Sequence, residues 1–324
     1  GFGLQQHRAP NWPAPPVVAP ERGRSLAADG TVLAEGDVAS RHYPQGPLAA
    51  HVVGFSGRVQ PDGRYGLEGI EYTLDARLQA GLDATLTLDP ILEAAAERQL
   101  EASVRESGAE SGSVVMLEVG SGRILTAASW PTFDPNRQGA FDRAAIQNRA
   151  FLQQYEPGSV MKPFVVAALL QSGRLQPTET VPAPPAKRVG DQTFRDVASH
   201  PGELEVRDVL RYSSNTAMLN LTERFEAREL HGWLRHYGFG RSLPLRSAYT
   251  RPGTLNPWQD WVPQDQASAT IGQSVATTPL QLAAAYAIFA NDGVYVPPRL
   301  VDDEALGEPY RVLSSEVART VRGM

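Results

Sequence analysis

The strongest hydrophobic pattern in the chain lies over residues 160–170. Val160, Met161, Phe164, Val165, Val166, Ala167, Ala168, Leu169 and Leu170 follow one another almost without a break. Pro157-Gly158 precedes the run and Ser172-Gly173 ends it. The pattern predicts a helix that is apolar on all sides and therefore buried. A second helix is predicted over 89–108. Asp89-Pro90 supplies an N-cap and a proline at the first helical position, Ile91, Leu92, Ala95 and Leu100 form the apolar face, and Gly108 is the stop. Gly112–Val119 and Arg123–Trp130 read as two strands joined by the Gly120-Ser121-Gly122 turn. Their apolar character is nearly continuous rather than alternating, which predicts a sheet covered on both faces.

Beyond Pro131 the pattern turns helical. Helices are predicted over 203–211, 216–237 with a break near Ala227, 279–290 and 314–322. The third of these opens on Thr278-Pro279 and closes on Asn291-Asp292-Gly293. Pro177–Pro185 reads as a loop and Tyr295–Arg299 as extended chain. Residues 21–82 are Gly-rich with short apolar runs such as His51–Phe55, which predicts short strands and turns in a small domain. Residues 1–20 hold Pro10, Pro13, Pro15, Pro16 and Pro20 and read as an extended linker.

Composition narrows the function classes. A hydrophobic fraction of 42% is ordinary for a protein with a real core. The net charge of -6, with no basic stripe, argues against nucleic acid as a partner. The chain has no cysteine, which removes disulfides, thiol catalysis and cysteine metal sites. Its six histidines (His7, His42, His51, His200, His231 and His236) show no metal-ligand spacing and read as structural or surface residues. No apolar run approaches the roughly 18 residues of a membrane span.

Charge usage points to the candidate chemistry. Of 30 basic residues, all but Lys162 and Lys187 are arginine. Lys162 stands three residues after Ser159, in the first turn of the buried helix. Only lysine can lose its proton near neutral pH when buried. An i,i+3 spacing puts its amine on the face of the Ser159 hydroxyl, where it can take the serine proton. The plainer reading is a serine cap followed by a solvated lysine. A second constellation is Ser213-Ser214-Asn215. Ser213 and Asn215 point the same way in extended or turn backbone and can relay a proton and orient an amide. The plainer reading there is an N-cap for a helix starting near Thr216.

S-x-x-K followed by S-x-N resembles the signature of penicillin-binding proteins and class A β-lactamases. The likeness extends to Tyr155–Pro163 with Asn148–Ala150 before it, which resembles the active-serine segment of class B penicillin-binding proteins. Phe133–Asn136, Leu86–Asp89 and residues 271–301 are similar to further segments of that family's transpeptidase domain. Tyr43–Gly46, Ala49–Val52, Gly66–Glu71 and Arg22-Gly23 through Leu33-Ala34 resemble its pedestal motifs.

The resemblance implies an α/β (α+β) fold with helices around an antiparallel sheet and a small N-terminal pedestal. It divides the chain into a linker over 1–20, a shortened pedestal over 21–82 and a transpeptidase domain over 83–324. It implies a peptidoglycan D,D-transpeptidase of the division or elongation type. Ser159 would be the nucleophile, Lys162 the base, Ser213 the proton relay and Asn215 the residue holding the donor peptide. The oxyanion hole would use the Ser159 backbone N–H and one from a later strand. No metal or organic cofactor is needed. Stem peptides and β-lactams would be the ligands. A membrane glycosyltransferase and other cell-wall proteins would be partners, and an N-terminal anchor would hold the domain outside the cytoplasm.

The family's third motif, K-T-G or K-S-G, has no counterpart, because both lysines lie elsewhere. The expectation is a chain that stops before that strand and leaves the 112–130 hairpin with an unpaired edge. A head subdomain between Ala34 and Tyr43 is also expected to be absent. Two other classes share the motifs: a serine β-lactamase, and a β-lactam sensor.

Overall fold

The computed structural model describes residues 20–324, so nearly all of the proline-rich 1–20 segment lies outside the described residues. Near the N-terminus, β1 (Ser25–Leu26) pairs antiparallel with β2 (Val32–Ala34) and parallel with β3 (Ala84–Thr85). Three short helices, α1 (Ala50–Val53), α2 (Gly69–Thr73) and α3 (Asp75–Gln79), fill the space between β2 and β3 in sequence. Distant motifs interlock here. Asn136 accepts from the Tyr43 N–H at 3.0 Å and donates to the Tyr43 carbonyl at 2.9 Å. Arg22 donates to Glu71 at 2.7 and 2.9 Å.

Helix α4 (Pro90–Ser107) begins and ends at the expected residues. The Asp89 carboxylate accepts from the N–H groups of Ile91 and Leu92, and Gly108 closes the helix with φ +66°. The hairpin forms from β4 (Gly112–Leu117) and β5 (Ile124–Trp130). Leu100 and Val104 of α4 cover one face, against Ala128 and Val114. Ile124, Ala127 and Val115 on the other face pack into a core with Phe151 and Leu280. The expected two-sided cover is present over β5, whereas β4 is only half-buried, with Met116 exposed. Among the described residues no further strand pairs with the outer edge of β4.

After α5 (Arg149–Leu152) comes α6 (Lys162–Gln171), buried from Phe164 through Leu169 as its uniform apolarity predicts. The 203–211 segment departs from expectation. Glu203–Glu205 is a strand, and only Val206–Arg211 is helical. Glu-Leu-Glu alternates exposed-buried-exposed, a period of two, and pairs with β6 (Thr180–Pro182) inside the expected proline loop. Between them lies a hairpin absent from the sequence reading, β7 (Ala186–Val189) and β8 (Gln192–Arg195), turning at Gly190-Asp191. Glu203–Glu205 is β9 and Val206–Arg211 is α7.

Helices α8 (Asn215–Thr222) and α9 (Ala227–His236) carry the expected break near Ala227. The remainder is β10 (Thr254–Leu255), α10 (Pro263–Thr270), β11 (Val275–Ala276), α11 (Pro279–Ala290), β12 (Val294–Tyr295), β13 (Tyr310–Arg311) and α12 (Ser315–Arg322). Helices α7 to α12 surround α6 in one apolar core. Phe164 sits at its centre, with ring centroids of Tyr237, Phe239, Tyr286 and Phe289 between 4.9 and 5.2 Å away. Among the described residues no helix is long and apolar enough to cross a membrane.

Candidate active site

The turn that carries Ser159 is tighter than an α-helix. Gly158–Met161 forms a 3-10 turn that runs into α6 at Lys162. Residues i and i+3 eclipse one another in that geometry, so Ser159 and Lys162 share a face as the spacing predicts. Gly158 has φ +63°, and its N–H donates to the Gly272 carbonyl at 2.8 Å. A Cβ on Gly272 would lie 2.0 Å from the Gly158 carbonyl oxygen, so the Ile271-Gly272 loop must stay bare to lie against the serine turn. Ser274 donates its N–H to Glu156 at 2.8 Å, and Tyr286 Oη donates to the Val160 carbonyl at 2.7 Å. These contacts brace the turn from the 271–286 segment, which explains what that sequence does.

Ser159 is exposed and Lys162 is 1% exposed. The Lys162 amine donates to the Ser213 carbonyl at 2.5 Å, to Ser213 Oγ at 2.9 Å and to Asn215 Oδ1 at 2.8 Å. Among the described residues no hydrogen bond joins it to Ser159 Oγ, which departs from the expected contact. The reason is stoichiometric: an ammonium has three hydrogens, and the Ser213–Asn215 turn offers three acceptors. Burial lowers the amine's pKa to about 8, against the opposing pull of the Asp196 carboxylate. All three acceptors are uncharged, so no direct ion pair offsets the desolvation.

Ser213 has φ +53°, a left-handed conformation that a non-glycine residue adopts at a cost. That turn directs its carbonyl and its hydroxyl to the same amine. The plainer reading of the motif is met by a neighbour: Ser214, not Ser213, caps α8, accepting from the Ala217 N–H at 3.1 Å. Capping by Ser214 leaves Ser213 and Asn215 free for Lys162.

Sequence reasoning missed Asp196. Its carboxylate accepts from Ser214 Oγ at 2.7 Å, Thr216 Oγ1 at 2.8 Å, the Thr216 N–H at 3.0 Å and the Asn215 N–H. Those bonds and the N-terminus of α8 hold it below the usual carboxylate range against burial, which acts the other way. Asn215 also donates Nδ2 to the Arg195 carbonyl at 2.9 Å. The exit of the β7–β8 hairpin is thus the second support of the Ser213–Asn215 turn. Asp196 lies 17 residues before Ser213 in a segment without periodicity, and no local signal marks it. Lys187, the other lysine, pairs with Glu223 at 2.5 Å and stands outside this constellation.

Comparison with known proteins agrees with the geometry. Residues 112–324 match the penicillin binding protein transpeptidase domain family. A probable peptidoglycan D,D-transpeptidase, PenA, of Neisseria gonorrhoeae is 33% identical over 309 residues, covering 88% of this chain and 53% of that one. Peptidoglycan D,D-transpeptidase FtsI of Escherichia coli K12 is 30% identical over 309 residues, covering 87% and 51%. The chain spans about half the length of these curated relatives. The crystal structure of penicillin binding protein 3 from Mycobacterium tuberculosis superposes with a TM-score of 0.85 at 31% identity, covering 94% of this chain and 74% of that one. A second structure of that protein is complexed with ampicillin (TM-score 0.83, 30% identity, 94% and 73% covered). With the same α/β architecture and a family match over most of its length, the chain belongs to the penicillin-binding transpeptidases of class B.

Proposed function

We propose that this chain is the catalytic part of a peptidoglycan D,D-transpeptidase that β-lactams inhibit covalently. The observation that carries the reading is the buried Lys162 amine, held among Ser213 and Asn215 and tuned to about 8 beside an exposed Ser159. Loss of one proton from that amine leaves two hydrogens for three acceptors and a lone pair for the Ser159 hydroxyl. Ser159 Oγ then bonds to the carbonyl carbon of the penultimate D-Ala of a stem peptide. The C–N bond to the terminal D-Ala breaks, and Ser213 passes the proton to the departing amine. An amine of a second stem peptide attacks the acyl-enzyme, forms the cross-link and releases Ser159. Asn215 orients the donor peptide through its amide. In the parent protein, a membrane anchor places this site outside the cytoplasm, next to a glycosyltransferase that makes the glycan strands.

The test is intact mass of the full-length protein after incubation with benzylpenicillin. A single adduct that persists for hours, and is absent from Ser159→Ala, is the expected result. An adduct that turns over rapidly would make the protein a β-lactamase. No adduct on a folded protein overturns the nucleophile assignment.

A further inference from the structure

His200 reads from sequence as one more structural histidine, yet its ring occupies an unusual position. Its side chain is 4% exposed and that of Asp196 5%. Nε2 lies 2.6 Å from Asp196 Oδ2 and Nδ1 lies 2.8 Å from the Pro201 carbonyl. A carboxylate and a carbonyl can only accept, so both ring nitrogens must donate. Only the imidazolium form has two N–H groups. A neutral ring would face one acceptor with a lone pair.

The same Asp196 carboxylate binds Ser214, Asn215 and Thr216, and its charge opposes loss of the Lys162 proton. We propose that His200 is a positioning residue for the Ser159–Lys162 pair: as a cation it neutralises Asp196 and so leaves Lys162 free to become a base. Charge counting gives the reason. With His200 charged, deprotonating Lys162 takes the group of three from +1 to zero. Without that charge it takes Lys162 and Asp196 from zero to −1, which is harder in a desolvated site.

Among the described residues, few other charges face the imidazole. From its own loop there is Asp196, and from the end of α7 the Tyr212 ring, 5.9 Å away by centroid. The Arg211 guanidinium lies over the Tyr212 ring at 5.4 Å and is within 3.7 Å of Asp208, which offsets its charge. From α8, Ser214 and Thr216 contribute only hydroxyls to Asp196. Burial is a minor opposing effect, and the bonds to Pro201 and Asp196 raise the His200 pKa above its ordinary 6.5.

The inference rests on Lys162 acting as the base, but its test does not require acylation. Two lysines make the chain suited to carbon-13 lysine NMR, with Lys187→Arg assigning the pair. In the unmodified chain the Lys162 resonance is expected to titrate near 8. His200→Gln keeps a donor for Asp196 but no charge, and should move that midpoint up by about one unit. His200→Arg restores a cation and should bring it back. An unmoved midpoint in His200→Gln overturns the proposal, because a merely structural role is satisfied by glutamine. Imidazole nitrogen-15 shifts of the unmodified chain give an independent check: a neutral His200 ring at about pH 8, where Lys162 titrates, also overturns it. Failure of the transpeptidase reading would instead appear as a missing adduct with these titrations intact.

Discussion

Arg22 and Lys162 are both buried cations, and the molecule treats them in opposite ways. Arg22 lies beside Glu71 at 2.7 Å and Asp75 at 2.9 Å, and Arg41 reaches the same Glu71 at 2.7 Å. Two guanidinium groups and two carboxylates cancel within one buried cluster. Lys162 meets only a carbonyl, a hydroxyl and an amide oxygen, and the carboxylate whose charge favours its ammonium, Asp196, is spent on the backbone and hydroxyls of the next turn. A direct ion pair offsets the cost of burying a charge. A shell of neutral dipoles leaves it near the point of losing its proton. The first arrangement suits a joint that must hold, the second the proton exchange proposed for Lys162.

The comparison breaks most visibly at Lys162. Lys162→Arg keeps the charge but cannot give up the proton, so benzylpenicillin acylation should slow by about 10²- to 10⁴-fold. A rate near that of the unmodified protein would show that no base is needed at this position. The rate in the unmodified protein should rise with pH toward a plateau above about 8. Since the folded pKa lies below lysine's ordinary 10.5, the group's contribution to stability should also grow as pH rises from about 8 toward 10.5.

Glu71→Ala probes the other side. It leaves two buried guanidinium groups without their shared partner and should cost about 3–5 kcal/mol in urea unfolding. A loss below about 1 kcal/mol would place the cluster with surface pairs rather than buried ones.

A third buried site sharpens the contrast by having no cation at all. Glu93 Oε2 accepts from the Ala127 N–H of β5, and Glu97 Oε1 accepts from the Ala49 N–H, both at 2.8 Å. Glu93 Oε1 is buried without another partner. Burial first, then the neighbouring Glu97, pushes Glu93 up to about 8; burial pushes Glu97 to about 7. Both folded values lie above the ordinary 4.5, so the folded state holds protons that the unfolded chain has lost. Stability should therefore fall as pH rises from about 4.5 to 8. Glu93→Gln should flatten that slope, with a gain on the order of 2 kcal/mol at the alkaline end. An unchanged slope would mean that Glu93 does not hold a proton that the unfolded chain has lost.

The smallest effect is expected at Asp89, whose carboxylate caps α4 without a buried charge to balance. Asp89→Ala should cost about 1 kcal/mol by thermal or urea unfolding. A cost as large as that of Glu71→Ala would erase the distinction between a cap and a buried ion pair.

Much of this architecture was legible in local pattern. The uniform apolarity of Val160–Leu170 placed α6 at the centre of the core, and Asp89-Pro90, Thr278-Pro279 and Gly108 marked helix ends to the residue. The pairings Ser159–Lys162 and Ser213–Asn215 were visible because each spans one turn of chain. Caps, periodicities and i,i+3 faces are interactions between near neighbours, so the order of residues alone carries them. The β7–β8 hairpin escaped because its four-residue strands are too short for a period to declare itself, and β9 because Glu203-Leu204-Glu205 also suits the first turn of a helix.

Tertiary structure alone decided what Lys162 touches. Its amine turns from the expected Ser159 to a serine 51 residues away, whose left-handed backbone aims two acceptors at it. Asp196 and His200 join the site, and Arg22, Arg41, Glu71 and Asp75 form one cluster, by contacts between distant segments that leave no mark on local pattern. The protonation state of a buried group depends on how far water is excluded and which charges arrive from elsewhere in the chain. Residue identity therefore determined that a lysine, which can become a base, stands after the serine, and the packing of α6 against the Ser213–Asn215 turn determined that its proton is loosely held.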